Sequence, residues 1–514
     1  MTVEGSLNAF AIVTGILMSV TSLPVEAATR CVNPGGTGGC SSSIQKAINA
    51  AAPGDIIVIA KGTYTENLVV PKPLTLLGSG NQGEHRDESG DDHRGPREGA
   101  GDEGAPVIRP AVSNPNPCPV SSLCDGRASN IILVQANNVT IRGLTLDGNN
   151  PRLTSGVVRG GSDVDARNGI ITNHSLGTFN NLHVDHVTVK NVYLRGIYAS
   201  SEGTFDFHDD TVQNVQGDDD SICMFNYGGA GVMARNRASD CVDALSSNWS
   251  RGVQFLDNDI SRSGSGVHTD NAGGTGGTAD LIEDNTVREC QEDGYGIWVF
   301  IPYIDPTVKD NDVRGCAVGL AVFGQGAPTT TVFTGNGVNG EGAPMSGKSS
   351  GKSDGKSDGK ADRKSGGRSG SVGVLVSTDT LGFGATNVSA RFSDNVIEHF
   401  NTGVYVEQTC EMFSSAYPGD CQEGDGRATA TLYNNAIEGN RTGANGRPQT
   451  TVDARSNWWG CRRGPNQPGC DTAIGTVVYT PWLTKRPKDL KKPHDERDHD
   501  PSEKDRDESE RDRD

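Results

Sequence analysis

Leu256-Asp257-Asn258-Asp259-Ile260 is followed, six residues after Ile260, by Gly266-Val267. The same frame returns as Glu283-Asp284-Asn285-Thr286-Val287 with Gly296-Ile297, as Lys309-Asp310-Asn311-Asp312-Val313 with Gly319-Leu320, and as Ser393-Asp394-Asn395-Val396-Ile397 with Gly403-Val404. The anchors Val187, Asp210, Asn236, Asn258, Asn285, Asn311 and Asn336 stand 23, 26, 22, 27, 26 and 25 residues apart. Asn395, Asn435 and Asn457 extend the series after an insertion. A period near 25 built from short apolar runs means one supersecondary unit per repeat. Such a unit cannot bury its apolar face alone, so successive units stack. The expected fold is all-β: a right-handed single-stranded parallel β-helix solenoid with a short N-terminal capping helix. Asparagine suits a repeated corner for two reasons. It tolerates left-handed backbone, and stacked amides hydrogen-bond along an axis. The repeated glycine is expected to relieve crowding where the chain enters the next strand.

Outside the repeat, Ser43 to Ala51 reads as a short amphipathic helix. Pro53-Gly54-Asp55 turns it into the strand Ile56 to Ile59, and Leu68 to Val70 and Leu74-Thr75-Leu76 follow. The expected organisation is a signal peptide over 1–28, a cap and first coils over 29–80, and a charged loop over 81–106. The β-helix then runs over 107–483, with a Lys/Gly/Ser-rich insertion at 341–370, and a charged tail fills 484–514. The apolar run Phe10 to Val20 and the small-residue site Val25-Glu26-Ala27 carry the export reading. That run is short for a membrane span, so no transmembrane segment is expected after its removal. A buried N-terminal helix is the alternative.

Composition agrees. The 514 residues include 68 Gly and only 5% aromatics, against what a helical bundle requires. A formal charge of −19 argues against nucleic acid as a partner. Twelve cysteines form six near-neighbour pairs: Cys31 with Cys40, Cys118 with Cys124, Cys223 with Cys241, Cys290 with Cys316, Cys410 with Cys421 and Cys461 with Cys470. An even count at local spacing suggests disulfides in an oxidising compartment, with the connectivity left open. The expected location is secreted, periplasmic or extracellular.

The run Ile44 to Gly78 resembles the N-terminal cap of right-handed β-helix proteins of the pectin-lyase-like superfamily. Asn457-Trp458-Trp459-Gly460 and Tyr479-Thr480-Pro481-Trp482-Leu483 are similar to the closing segment of secreted members. The resemblance implies a polysaccharide or surface glycan as partner. Gly217-Asp218-Asp219 resembles the paired aspartates of polygalacturonase-type hydrolases, but no Gly-His-Gly or Arg-Ile-Lys accompanies it. The Asp-Pro-His of alginate epimerases is also absent.

Strand alternation gives the candidate site. One outward row should hold Tyr198, Cys223, Ser246, His268, Trp298 and Tyr405, and the next Ser200, Phe225, Asn248, Asp270 and Phe300. Exposed Tyr198, Trp298, Phe300 and Tyr405 would suit sugar rings. Asp220, Asp243, His268 and Asp270 are the acid–base candidates. Asp218, Asp219, Asp220 and Asp243 form a candidate calcium set, the one cofactor considered. Arg195 and Arg251 are candidate lyase arginines. Two functions remain open: a lyase- or glycoside-hydrolase-type enzyme that binds and cleaves polysaccharide, and a non-catalytic, glycan-binding or structural solenoid at the cell surface.

Overall fold

The computed structural model describes residues 27–81, 104–119, 121–271, 277–344, 370–379, 386–408, 426–488 and Leu490. The proposed signal run, the core of the lysine-rich insertion and most of the two charged segments lie outside them.

Each coil contributes three short strands. In one coil these are Val253–Leu256, Asp259–Ser261 and Ser265–Asn271. Corresponding strands of successive coils pair in parallel, giving one sheet of 15 strands and one of 24. The larger sheet joins two faces because the twelve-residue strand Thr188–Ala199 runs across both. The only antiparallel pair among the described residues is the small hairpin of Val158–Arg159 with Ser162–Asp163.

The core is a column of apolar side chains. Ile141, Val184, Phe207, Met233, Phe255, Ile282, Val308 and Phe333 succeed one another along one face, all buried. The helix Ile44–Ala50 turns Ile44, Ala47 and Ile48 onto that column at its start. Ser43 caps it by accepting from the Lys46 N–H, and Glu66 accepts from the Ile44 and Gln45 N–H groups. These contacts satisfy donors that a helix start leaves open.

The asparagine series is a continuous ladder. The backbone N–H of Asn236 donates to Asn258 Oδ1 (3.0 Å), that of Asn258 to Asn285 Oδ1 (3.1 Å), and that of Asn285 to Asn311 Oδ1 (2.9 Å). It continues through Asn336, Asn395 and Asn435 to Asn457. Each Nδ2 also reaches back to a core-strand carbonyl, as Asn258 does to Met233 (2.9 Å). Backbone strain sits elsewhere than expected. The left-handed residue is the one before each rung, such as Asp257 (φ 54°), Asp284 (φ 56°) and Asp310 (φ 55°). The rung asparagine is therefore selected for its amide, and its predecessor for left-handed tolerance.

The repeated glycines are close-approach positions with ordinary φ. A Cβ on Gly296 would lie 2.3 Å from Val313 Cγ1 and 2.5 Å from the Gly319 carbonyl oxygen. Five disulfides join Cys31–Cys40, Cys118–Cys124, Cys223–Cys241, Cys290–Cys316 and Cys461–Cys470. The sixth expected pair, Cys410 and Cys421, lies outside the described residues. No described cysteine is free. No helix among the described residues is long and apolar enough to cross a membrane.

Candidate functional site

Register fixes which side chains stand together. Along the face that contains Ser265–Asn271, one outward row runs Ile171, Tyr198, Phe225, Ser246, His268, Trp298, Ala321, Leu375, Tyr405. Tyr198, Ser246, His268, Trp298 and Tyr405 thus share a row, as the alternation implied. Cys223 does not. Phe225 takes that place, and Cys223 turns into the core to meet Cys241. The Gly217-to-Ser221 corner is the reason. Ser221 Oγ donates to the Tyr193 carbonyl (2.8 Å) and sets Ile222 opposite Arg195, two residues from the assumed frame. Asp270 and Phe300 do pair in the next row.

The row is more enclosed than outward direction suggested. Tyr198 is 7% exposed, Phe225 5%, His268 7% and Phe300 8%. Large neighbours on adjacent coils cover one another. Tyr198 and Phe225 stack at 4.6 Å, and Leu123, from the loop closed by Cys118–Cys124, shares their buried apolar cluster. Further along, Phe300, Val318, Ala321, Phe323, Val372 and Leu375 form a second apolar layer, with half-buried Trp298 and Tyr405 against it.

Within this face three candidates come together. His268 Nδ1 lies 3.2 Å from Ser246 Oγ and 4.0 Å from Asp243 Oδ2. Its ring stacks on Trp298 at 3.7 Å with 7° between planes, and Trp298 Nε1 donates to Ser265 Oγ (2.7 Å). His268 Nε2 is buried with no hydrogen-bond partner. Burial pushes the imidazole pKa down to about 3, so the ring is neutral at neutral pH. Its unpartnered Nε2 is available for a hydrogen bond there.

Arg195 borders the same face. Its guanidinium lies over Phe225 (4.7 Å) and Tyr198 (5.8 Å) and donates to the Asp220 carbonyl. Burial lowers its pKa, with Tyr198, Asp220, Asp218 and Asp243 opposing that shift. Burial also lifts Tyr198 to about 12. Asp220 therefore meets this face through its main chain, while its side chain and that of Asp219 are exposed. Asp218 Oδ1 accepts from the Asp220 N–H (3.1 Å) and Ser221 Oγ (3.3 Å). Asp218, Asp219, Asp220 and Asp243 are not among the described groups whose ligand atoms converge within 4.8 Å. Arg251 pairs with Glu202 at 3.0 Å, away from the row.

Asp270 works in a different environment. It accepts from the Trp249 N–H, and burial with the nearby Asp280 charge raises its pKa to about 7. Alternation did not find Asp280, a buried carboxylate that accepts from Ser250, Thr269 and the Val253 N–H. It also missed an open cleft of about 540 Å³ lined by Glu398, His399, Glu438, Asn440 and Asp471. There burial lifts Asp471 to about 6, while Trp458 Nε1 and Arg486 hold Glu438.

A family profile described as "Right handed beta helix region" matches residues 168–338. The fold is thus a right-handed parallel β-helix, and the matched segment lies within its coils. No curated protein matches the sequence. Among solved structures, the A-module of mannuronan C-5 epimerase AlgE6 from Azotobacter vinelandii aligns with TM-score 0.42 and 14% identity, covering 85% of this chain and 93% of that one. The periplasmic alginate epimerase AlgG aligns at 0.44 and 11%, covering 79% and 81%. Polygalacturonase from Erwinia carotovora ssp. carotovora aligns at 0.35 and 12%, covering 91% and 98%. At such scores and identities these likenesses assign no activity.

Proposed function

We propose that this protein is an exported β-helix that binds polysaccharide across the coils from Arg195 to Trp298. Asp243 and His268 act on the bound chain by elimination or hydrolysis. The observation that carries this reading is His268. Its Nε2 is buried and unpartnered, its ring rests on Trp298, and its Nδ1 stands 4.0 Å from the Asp243 carboxylate. Buried polar atoms are almost always paired, so an unpaired one calls for an explanation, and a ligand or reacting group is one. Arg195 supplies a fixed cation one row away for a sugar carboxylate or hydroxyl. Five disulfides support export, since such bonds persist in oxidising compartments.

The test is a panel of polygalacturonate, alginate, xylan and neutral glucan, with and without calcium. New reducing ends report chain cleavage by either route, and unsaturated-product absorbance marks elimination, so reducing ends without that absorbance indicate hydrolysis. Activity on one polymer that falls at least ~100-fold in His268→Gln and Asp243→Asn, with unchanged thermal unfolding, supports the reading. Full activity in both variants overturns it. One observation favours the second reading, a non-catalytic solenoid: Tyr198, Phe225 and His268 are each less than one-tenth exposed. Binding to a polymer without turnover on the whole panel selects that reading.

A further inference from the structure

Four polar side chains face outward from the 15-stranded sheet. His183 and Asp185 lie on the strand Leu182–Asp185, and Asp206 and His208 on Phe205–His208. The register sets His183 opposite Asp206 and Asp185 opposite His208. Alternation buries Val184 and Phe207 between them, so the polar four form a square on one surface.

The hydrogen bonds divide this square into ligands and supports. Asp209 is held by a bidentate Arg235, with contacts of 3.0 and 2.8 Å. Asp185 is held by Arg142 at 2.9 Å and by His186. Both carboxylates face His208 Nδ1, at 3.1 Å from Asp209 and 3.3 Å from Asp185. That nitrogen therefore carries the proton and donates. His208 Nε2 points the other way, 3.8 Å from Asp206 Oδ2, and His183 Nδ1 lies 3.2 Å from the same oxygen. The two imidazoles meet edge to face at 4.7 Å between centroids.

We infer that His183, Asp206 and His208 form a binding site for a zinc-class divalent transition metal. Zinc–ligand bonds of ~2.0–2.1 Å at tetrahedral angles separate neighbouring ligand atoms by about 3.3 Å, and the two observed separations, 3.2 and 3.8 Å, straddle that value. All three ligand atoms lie within 4.8 Å of one another. A histidine whose second nitrogen donates to a clamped carboxylate is the usual supporting arrangement for a metal ligand. Two imidazoles and one carboxylate suit zinc, nickel or copper, not calcium or magnesium, which take oxygen ligands. The three side chains are 35%, 47% and 21% exposed, so the ion enters from solvent and water completes its shell. It would tie two successive coils together on a face separate from the proposed polysaccharide row.

The test is calorimetric titration of the chelator-treated, tag-free protein with zinc, and with calcium and magnesium in parallel. One zinc per chain is expected, with no comparable calcium or magnesium binding. His183→Ala and His208→Ala should each weaken zinc binding more than ~100-fold, and Asp209→Asn, which removes a supporting carboxylate, by about 10–100-fold. His183 is a third exposed, so its variant should fold, which circular dichroism checks. Undiminished zinc affinity in His183→Ala overturns the proposal. So does a protein that takes up no zinc, which would make the square an imidazolium–carboxylate ion-pair network. Neither result depends on polysaccharide activity.

Discussion

Asp210→Asn should stabilise the protein, because Asp210 occupies an asparagine rung but lacks the amide donor. Asp210 Oδ1 accepts from the Val187 N–H (2.8 Å), and the Asp210 N–H donates to Asn236 Oδ1 (3.0 Å). At the next rungs the other side-chain atom is a nitrogen that donates to a core-strand carbonyl: Asn236 to Phe207 (3.0 Å) and Asn258 to Met233 (2.9 Å). By the same spacing, the carbonyl that faces Asp210 is that of Val184. Asp210 Oδ2 offers it an oxygen and is buried without a partner. Replacing an unpaired buried oxygen by a paired donor is worth about 1–3 kcal/mol. With ~2 cal/mol/K of unfolding entropy per residue over a chain of this size, that is a rise in Tm of about 1–3 °C. The variant should also differ in pH dependence. Burial raises the Asp210 pKa well above 3.8; the Val187 N–H and His208 oppose the shift, and Asp185 and Asp209 add to it. A carboxyl that holds its proton more tightly when folded contributes stability below its unfolded pKa and loses it as pH rises toward the folded value. The advantage of the Asp210→Asn variant over the native protein should therefore be small near pH 4 and grow toward pH 7.5. Denaturant melts at both pH values, run with a chelator so that metal does not contribute, measure it. A variant no more stable at pH 7.5, or one with the same gain at both pH values, refutes the reasoning.

Breaking a complete rung should do the opposite. Asn311 Oδ1 accepts from both the backbone and side-chain nitrogens of Asn285 at 2.9 Å, so Asn311→Ala removes the acceptor of two buried donors. It should cost about 2–4 kcal/mol, read by denaturant melts, and a loss under ~1 kcal/mol would count against the ladder as a source of stability. Gly296→Ala forces a Cβ to 2.5 Å from a backbone oxygen and should cost about 1–3 kcal/mol in the same assay. His268 should stay neutral in an NMR pH titration down to about pH 4, since burial lowers its pKa from 6.5 to about 3. The unfolded chain then binds the extra proton, so this residue's contribution is lost as pH falls from about 6.5 toward 3, and His268→Gln removes that slope.

The repeat was legible because each coil must solve the same corner with the same atoms. Asp-Asn-x-Val recurs since a left-handed residue, an amide rung and a core side chain follow one another there. Sequence alone merged the first two jobs, crediting asparagine with the backbone strain that Asp257, Asp284 and Asp310 carry. The frame failed at Cys223 because the corner between Gly217 and Ser221 is irregular, and a periodic pattern cannot count residues through an aperiodic turn. Enclosure was invisible for a different reason. Alternation reports which way a side chain points, not what lies over it, and Leu123 joins the cluster of Tyr198 and Phe225 from a loop two coils before Tyr198. The square of His183, Asp185, Asp206 and His208 did leave a signal. His-x-Asp and Asp-x-His alternate around Val184 and Phe207, 23 residues apart, which is the local coil length.

The coils of the square lack the asparagine signature, and the lack is informative. Val187 and Asp210 stand where later coils place asparagine. The same coils hold the long strand Thr188–Ala199, Arg195 with its aromatic neighbours, the acidic corner at 218–220, and the histidine–aspartate square. Downstream, from Asn236 to Asn457, the rungs are uniform. A solenoid adds stability coil by coil through nearest neighbours. A long regular run can therefore support a few coils whose ladder is incomplete and whose outward surface is charged. On this account Asp210→Asn and the zinc titration probe one compromise from two sides. Completing the rung should strengthen the coil that carries His208, and removing His208 should leave the downstream ladder intact.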